Sequence, residues 1–377
     1  MEPVIKPFSL LIKPASADCN QVCVYCFYSD RSRLYPRQRR RMTANVLKRL
    51  ISGYMKTPQF QYIFTWQGGE PTLMGIEFYE EVVELQQKYG RPGSKVANGL
   101  QTNALLIDDR FARFLARHHF LVGVSLDGPA YIHDRFRKNK KGTGTYSAVR
   151  KGIDSLARNE VEFNILTLVS QANVKKGKEV YRFLCENGFF YHQYIECVEF
   201  DKQGHPQPYT ITGEDWGNFL CEVFDDWIKS DIYRISIRLF DAILAQLMEN
   251  RYTMCSLGPG CGQYVVVEFN GDVYPCDFFV RDNLKIGNIT KDSWRDLLES
   301  TVFTEFSRQK SRAHTQCGEC KYHTLCFGDC LKNRNSGREN PAQPSWLCSG
   351  WKMFYEHALP GFRAIAEKNM KFKKEMA

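Results

Sequence analysis

From Pro7 to about Val198 short apolar runs alternate with amphipathic segments, and this pattern constrains the fold more than any other feature of the 377-residue chain. Such alternation is the mark of repeated βα units around a parallel sheet. Strands are predicted at Ser9 to Ile12, Tyr62 to Trp66, Val96 to Gln101, Leu121 to Leu126, Phe163 to Val169 and Gln193 to Val198. Helices are predicted between them at Ala44 to Met55, Phe78 to Tyr89 and Tyr146 to Ala157, with Thr43, Asp108 and Thr145 as N-caps. Six units make an open, incomplete barrel, and its chemistry belongs at the carboxyl ends of the strands. A helical stretch from Glu214 to about Asn250 follows. The region from Cys255 to Cys348 has little periodicity and is expected to need metal ligation to fold, and a last helix begins near Ser349.

The chain has 14 cysteines. It shows no export signal and no apolar run approaching the roughly 20 residues that span a bilayer, so a cytoplasmic protein with reduced thiols is expected. Cytosolic cysteines in such number point to metal rather than to disulfides. Cys19-x3-Cys23-x2-Cys26 lies in the loop after the first strand. Three thiolates so close repel one another unless a cation binds them, and a 4Fe-4S cluster answers that need while leaving one of its irons open. A zinc site is the alternative, although no fourth Cys or His stands nearby at zinc-finger spacing.

The spacing, its position after the first strand and the six-unit pattern together resemble the radical S-adenosylmethionine (SAM) superfamily. This resemblance implies an α/β fold with a partial (β/α)6 barrel, and SAM chelated at the open iron. Within Gln67-Gly68-Gly69-Glu70-Pro71, Gly69 would face the SAM amino group; Ser125 and Arg137 would hold the ribose and carboxylate; Tyr25 would lie near the adenine, and Val198, ending the sixth strand, beneath the same cofactor. The later cysteines, Cys255, Cys261, Cys276, Cys317-x2-Cys320-x5-Cys326-x3-Cys330 and Cys348, resemble the SPASM extension. By that analogy Cys255, Cys261, Cys276 and Cys330 hold one auxiliary 4Fe-4S cluster, and Cys317, Cys320, Cys326 and Cys348 a second, making three clusters in all. A pair of zinc knuckles is the alternative. Cys185, Cys197 and Cys221 read as core thiols. Residues 1–235 are expected to form the barrel, and 236–377 the connection, the SPASM-type domain and the C-terminal helix.

Ser9-Leu10-Leu11-Ile12-Lys13-Pro14-Ala15, Cys26-Phe27-Tyr28, Gln67 to Leu73, Leu100-Gln101-Thr102-Asn103 and Tyr274-Pro275-Cys276-Asp277-Phe278 together resemble the anaerobic sulfatase-maturating enzymes. That family oxidises a cysteine or serine in a Cys/Ser-x-Pro/Ala-x-Arg segment of an unfolded sulfatase to Cα-formylglycine, with a 5'-deoxyadenosyl radical. The resemblance implies a sulfatase peptide as partner, a ferredoxin or flavodoxin as electron donor, and a monomer. Asp277 would be the general base, its pKa expected to rise beside the negative cluster held by Cys276. Gln67 and Tyr28 would contact the peptide. Another SPASM peptide modifier and a non-enzymatic metal protein remain as alternatives.

The formal charge of +9 and the run Arg37, Arg39, Arg40 and Arg41 raise the question of nucleic acid. Three clusters with eleven thiolates would lower the total to about +4. The run, like the tail ending in Lys371, Lys373 and Lys374, is therefore read as a solvated segment, with no nucleic-acid and no membrane partner expected.

Overall fold

The computed structural model describes residues 6–35, 40–312, 314–334 and 343–375. Its contacts divide the chain into two units, the first comprising residues 1–125, 137–163 and 262–307, the second residues 126–136, 164–261 and 308–377.

The first unit is built on β1 (Ser9–Lys13), β2 (Gln61–Trp66), β3 (Lys95–Thr102) and β4 (Leu121–Ser125), hydrogen-bonded in that order and parallel throughout. Helices α1 (Ala44–Tyr54), α2 (Ile76–Tyr89) and α3 (Asp109–Arg117) connect them. Helix α1 starts where the Thr43 side chain accepts a hydrogen bond from the Val46 amide, and it buries Val46, Leu47, Leu50, Ile51 and Tyr54 at helical spacing. Tyr62, Phe64 and Trp66 alternate along β2 and are all fully buried. Their neighbours Gln61, Ile63 and Thr65 face the other way and are exposed or half-buried. One face of the sheet is thus sealed by aromatic packing and the other left with smaller, more polar residues.

Later in the chain, β5 (Phe163–Val169), β6 (Tyr191–Glu196) and β7 (Ser236–Ile237) run parallel, and from Asn164 onward they belong to the second unit. The short helix α4 (Ala130–Phe136) and α6 (Gly177–Glu186) share that unit, whereas α5 (Tyr146–Arg158) belongs to the first. Helix α7 (Gly213–Ser230) opens with a reciprocal cap between Thr212 and Asp215, and α8 (Arg238–Glu249) follows. Both pack on the C-terminal helix Cys348–Glu375 around Phe224, Trp227, Phe240, Phe354 and Phe362. The helices approach closely because glycines meet: a Cβ on Gly350 would stand 1.9 Å from the Gly213 carbonyl oxygen.

Three expectations need correction. The region after Cys255 is not without strands: β8 (Tyr264–Glu268) pairs with β1 in parallel register, Ser9 opposite Tyr264, and β9 (Asp272–Tyr274) and β10 (Gly287–Asn288) extend the sheet from it antiparallel. Val265, Val266 and Val267 are fully buried, so apolar burial contributes to this region as well. Thr145 occupies the N-cap position of α5 as expected, but its side chain makes no cap hydrogen bond: its hydroxyl donates to the Arg137 carbonyl and accepts from the Gln21 side chain. Arg40 and Arg41 are not solvated, since both pair with Asp18 (3.0 and 2.7 Å). Arg37 and Arg39 lie outside the described residues.

Candidate active site

Beyond β1 the chain turns at Ser16, whose φ of 49° is left-handed, and the loop then carries all three N-terminal cysteines. Cys19, Cys23 and Cys26 are part-buried and line one cavity together with Gly69, Arg41 and Tyr28. Burial pushes the Cys19 thiol up to about 12, and repulsion from Glu70, Cys23 and Cys26 adds to it against a hydrogen bond from the Gln21 amide. Three thiols in one cavity, one of them strongly opposed to ionising alone, suit a site completed by cationic iron. The donor set fits a 4Fe-4S cluster.

Gly69 has a structural reason to be glycine. Its amide donates to the Ser16 carbonyl (2.6 Å), the Glu70 amide donates to the Asp18 carbonyl (2.8 Å), and a Cβ on Gly69 would stand 2.1 Å from the Asp18 oxygen. The loop after β2 therefore grips the backbone of the cysteine loop directly. Glu70 is fully buried. It accepts from the Thr72 amide and hydroxyl, the Thr102 hydroxyl and the Asn103 amide. Burial raises its pKa while these bonds oppose the rise. Asn103 in turn reaches Asn20 (2.7 Å) and the Cys19 sulfur (3.7 Å). Glu70 and Asn103 thus join the ends of β2 and β3 to Cys19. The sequence reading used both only as motif letters; a buried carboxylate with four donors is visible only in three dimensions.

Arg137 is buried. It donates to the Tyr25 hydroxyl (3.1 Å) and to the Gln21 side chain (3.3 Å), so two candidate cofactor residues are brought together. Ser125 ends β4, and its hydroxyl accepts from Gln101 (3.2 Å). Val198 is buried just past β6 in the second unit.

Asp277 follows Cys276 and is buried. Its carboxylate accepts from the Tyr264 hydroxyl (3.1 Å) and lies 3.7 Å from the Lys13 ammonium, while Tyr264 also reaches the Cys276 sulfur (3.1 Å). Lys13 is the counter-charge that sequence reasoning missed, because a lysine ending a strand gives no sign of burial. It sits over the Tyr28 ring at 4.3 Å. Burial lowers its pKa, against the attraction of Asp277, Glu268 and Cys276. Tyr28 donates to buried Glu268, and Tyr35 and Tyr274 meet through their hydroxyls at 3.2 Å. Phe27 packs on Phe278 and Arg31 donates to the Phe278 carbonyl, holding the Cys26-Phe27-Tyr28 turn against the Asp277 turn. Gln67 is half-buried just past β2, its amide donating to the Ile12 carbonyl.

In the second unit Cys317, Cys320, Cys326 and Cys348 line a single cavity with Trp351 and Tyr355. Burial pushes the Cys326 thiol up to about 12, with Asp329 and Cys348 adding to it. Cys255, Cys261 and Cys330 of the same unit influence one another and surround Lys310, whose ammonium donates to the Cys255 and Ser256 carbonyls (2.5 and 2.8 Å). Cys276, the remaining member of that proposed quartet, belongs to the first unit. Cys197 is buried, and Cys185 and Cys221 are half-buried on α6 and α7.

The profile of the radical SAM superfamily matches residues 14–184, and that of the SPASM iron-sulfur cluster-binding domain matches residues 255–321. The serine-type anaerobic sulfatase-maturating enzyme of Bacteroides thetaiotaomicron is 35% identical over 95% of this chain and 91% of its own length. The cysteine-type enzyme of Clostridium perfringens is 36% identical over 96% and 98%. Among solved structures, native anSMEcpe with bound AdoMet superimposes with a TM-score of 0.90 at 36% identity, over 96% of this chain and 100% of that one. The same protein with AdoMet and a Cp18Cys peptide gives the same TM-score.

Proposed function

Because the chain belongs to the anaerobic sulfatase-maturating enzymes of the radical SAM superfamily, we propose that it oxidises a cysteine or serine in a sulfatase Cys/Ser-x-Pro/Ala-x-Arg segment to Cα-formylglycine, with Asp277 as general base. Cys19, Cys23 and Cys26 would hold the 4Fe-4S cluster to which SAM binds, and the bound pair would supply a 5'-deoxyadenosyl radical able to take hydrogen from the β-carbon of the target. The chain's own residues do the rest. Gly69, Ser125, Arg137, Tyr25 and Val198 bind the cofactor, and Gln67 and Tyr28 position the peptide. Asp277 Oδ accepts the proton of the target thiol or hydroxyl, and loss of a second electron completes the aldehyde or its thioaldehyde precursor. Cys255, Cys261, Cys276 and Cys330, with Cys317, Cys320, Cys326 and Cys348, hold two auxiliary clusters for electron transfer. We assign residues 1–235 to the SAM-binding domain and 236–377 to the SPASM region and C-terminal helix. The reading places the enzyme in the cytoplasm as a monomer, reduced by a ferredoxin or flavodoxin. Among the described residues no helix is long and apolar enough to cross a membrane.

The observation that carries the base assignment is the buried Asp277 carboxylate held by Tyr264 and Lys13 immediately after a cysteine ligand. A base must be fixed in direction yet keep lone pairs for the substrate proton, and this carboxylate meets both conditions. Anaerobic incubation with paired Cys-x-Pro-x-Arg and Ser-x-Pro-x-Arg peptides, read by mass spectrometry, tests the function. Formylglycine in either peptide supports it. A thioether or crosslink without formylglycine would transfer the chain to the other SPASM peptide modifiers.

A further inference from the structure

The cysteine loop is joined to a hairpin that presents lysines. The Val22 amide donates to the Lys138 carbonyl (2.7 Å), and Gln21 and Asn139 form an antiparallel bridge. Lys138 and Gly144 close the hairpin, whose turn is fixed by the Asn139 amide on the Thr143 carbonyl and by Gly142 at φ +79°. Lys140 and Lys141 stand exposed at its tip, and Lys140 reaches the rim of the cavity lined by Cys19, Cys23 and Cys26. Among the described residues no carboxylate forms an ion pair with Lys138, Lys140 or Lys141, whereas Arg40 and Arg41 share Asp18 as a partner. On the loop itself Val22 and Val24 flank Cys23 and are 58% and 53% exposed.

We propose that Val22 and Val24, rimmed by Lys138, Lys140 and Lys141, form the docking surface of a small acidic electron-transfer protein that reduces the cluster at Cys19, Cys23 and Cys26. The proposal rests on the radical SAM reading, which requires one electron to reach that cluster from outside. Electron transfer falls steeply with distance, so a donor gains most by touching the loop that carries the ligands. An apolar centre with a charged rim is the usual anatomy of an interface, and a patch this small suits the transient encounters typical of electron carriers. Unpaired lysines held by backbone bonds give a fixed positive field that draws in an acidic partner and sets the encounter rate.

The test uses anaerobically reconstituted holoenzyme and follows 5'-deoxyadenosine formation with either reduced flavodoxin, a small acidic flavoprotein, or sodium dithionite as donor. The double variant Lys138→Glu/Lys141→Glu should raise the KM for flavodoxin about tenfold at low salt. Wild-type KM should climb with added salt and the variant's should not, as expected when attraction is lost. Dithionite-driven SAM cleavage should match wild type, which also shows that the variant is folded and loaded. An unchanged flavodoxin KM with an unchanged salt dependence would overturn the docking surface. The radical SAM reading itself is tested separately by dithionite-driven cleavage in the wild type.

Discussion

Replacing Gly69 by alanine adds one methyl group at the tightest backbone crossing of the site. The new Cβ would lie 2.1 Å from the Asp18 carbonyl oxygen, 2.5 Å from its carbon and 2.7 Å from the Ala17 carbon. Contacts below 3.0 Å are not tolerated, so one strand of backbone must move by at least 3.0 − 2.1 = 0.9 Å. Neither side can yield by turning a side chain, because all three obstructing atoms are backbone. Moving apart breaks the Gly69-to-Ser16 and Glu70-to-Asp18 hydrogen bonds, each worth about 0.5–1.5 kcal/mol net, on top of about 1–3 kcal/mol of overpacking. The total of about 2–6 kcal/mol is a large part of the stability of an ordinary domain, about 5–15 kcal/mol. More important is where the movement falls, next to Cys19. A displacement of about 1 Å in a catalytic array costs on the order of 10²-fold in rate. Gly69→Ala should therefore lower SAM cleavage by at least about 10²-fold, measured as 5'-deoxyadenosine after anaerobic reconstitution, with reduced iron content. Gly93→Ala is the control: its φ of +81° adds a backbone strain that Gly69 lacks, but nothing lies within 4 Å of its Cβ, so cleavage should be unaffected. Full iron and wild-type cleavage in Gly69→Ala would refute the close-approach argument.

Three further outcomes are expected. Asp277→Asn keeps the shape but cannot take a proton, so SAM cleavage should persist while formylglycine formation falls by about 10²- to 10⁴-fold; peptide oxidation near the wild-type rate would remove the base. Converting Cys19, Cys23 and Cys26 together to alanine should abolish 5'-deoxyadenosine while leaving the iron of the C-terminal cysteines in place, and residual cleavage would show the ligand assignment to be wrong. His192 is buried and its pKa is lowered from 6.5 to about 4 by burial, so below pH 6.5 the unfolded chain binds a proton that the folded chain refuses. Stability is then complete above pH 6.5 and should fall by about 2 kcal/mol between pH 7 and 5, a loss that urea titrations should find reduced in His192→Gln and that would be equal in both proteins if the argument is wrong.

Strands β1 to β6 were readable because a parallel sheet leaves an apolar run between helical segments, and their ends differ from expectation by two residues or fewer. Thr43 and Asp108 were legible as caps for the same local reason, since the hydrogen bond closes within three residues. What escaped notice was set by tertiary partners. Tyr264–Glu268 carries a three-valine run and is followed by Asn270-Gly271, a hairpin signal obscured by the cysteines around it. Thr145 fits a cap in sequence, yet its hydroxyl serves Gln21 from 124 positions away. The cysteines that share a cavity were visible as candidates in the sequence, Cys19, Cys23 and Cys26 from their spacing and Cys317, Cys320, Cys326 and Cys348 from a family resemblance. The groups that orient them, Glu70, Asn103, Lys13 and Lys310, were not, because burial of a charge is decided by neighbours distant in sequence.

The pairing of β1 with β8 sets a timetable for biosynthesis. Ser9 is made some 250 residues before its neighbour Tyr264. At about 5–20 residues per second that is a wait of roughly 13–50 s, during which one edge of β1 has no native partner. An apolar strand edge left open for so long invites pairing with other nascent chains. Iron delivered early to Cys19, Cys23 and Cys26 would meet a loop whose supporting strand lacks one neighbour, so insertion of the cluster is best timed after the β8–β9 hairpin has closed the edge.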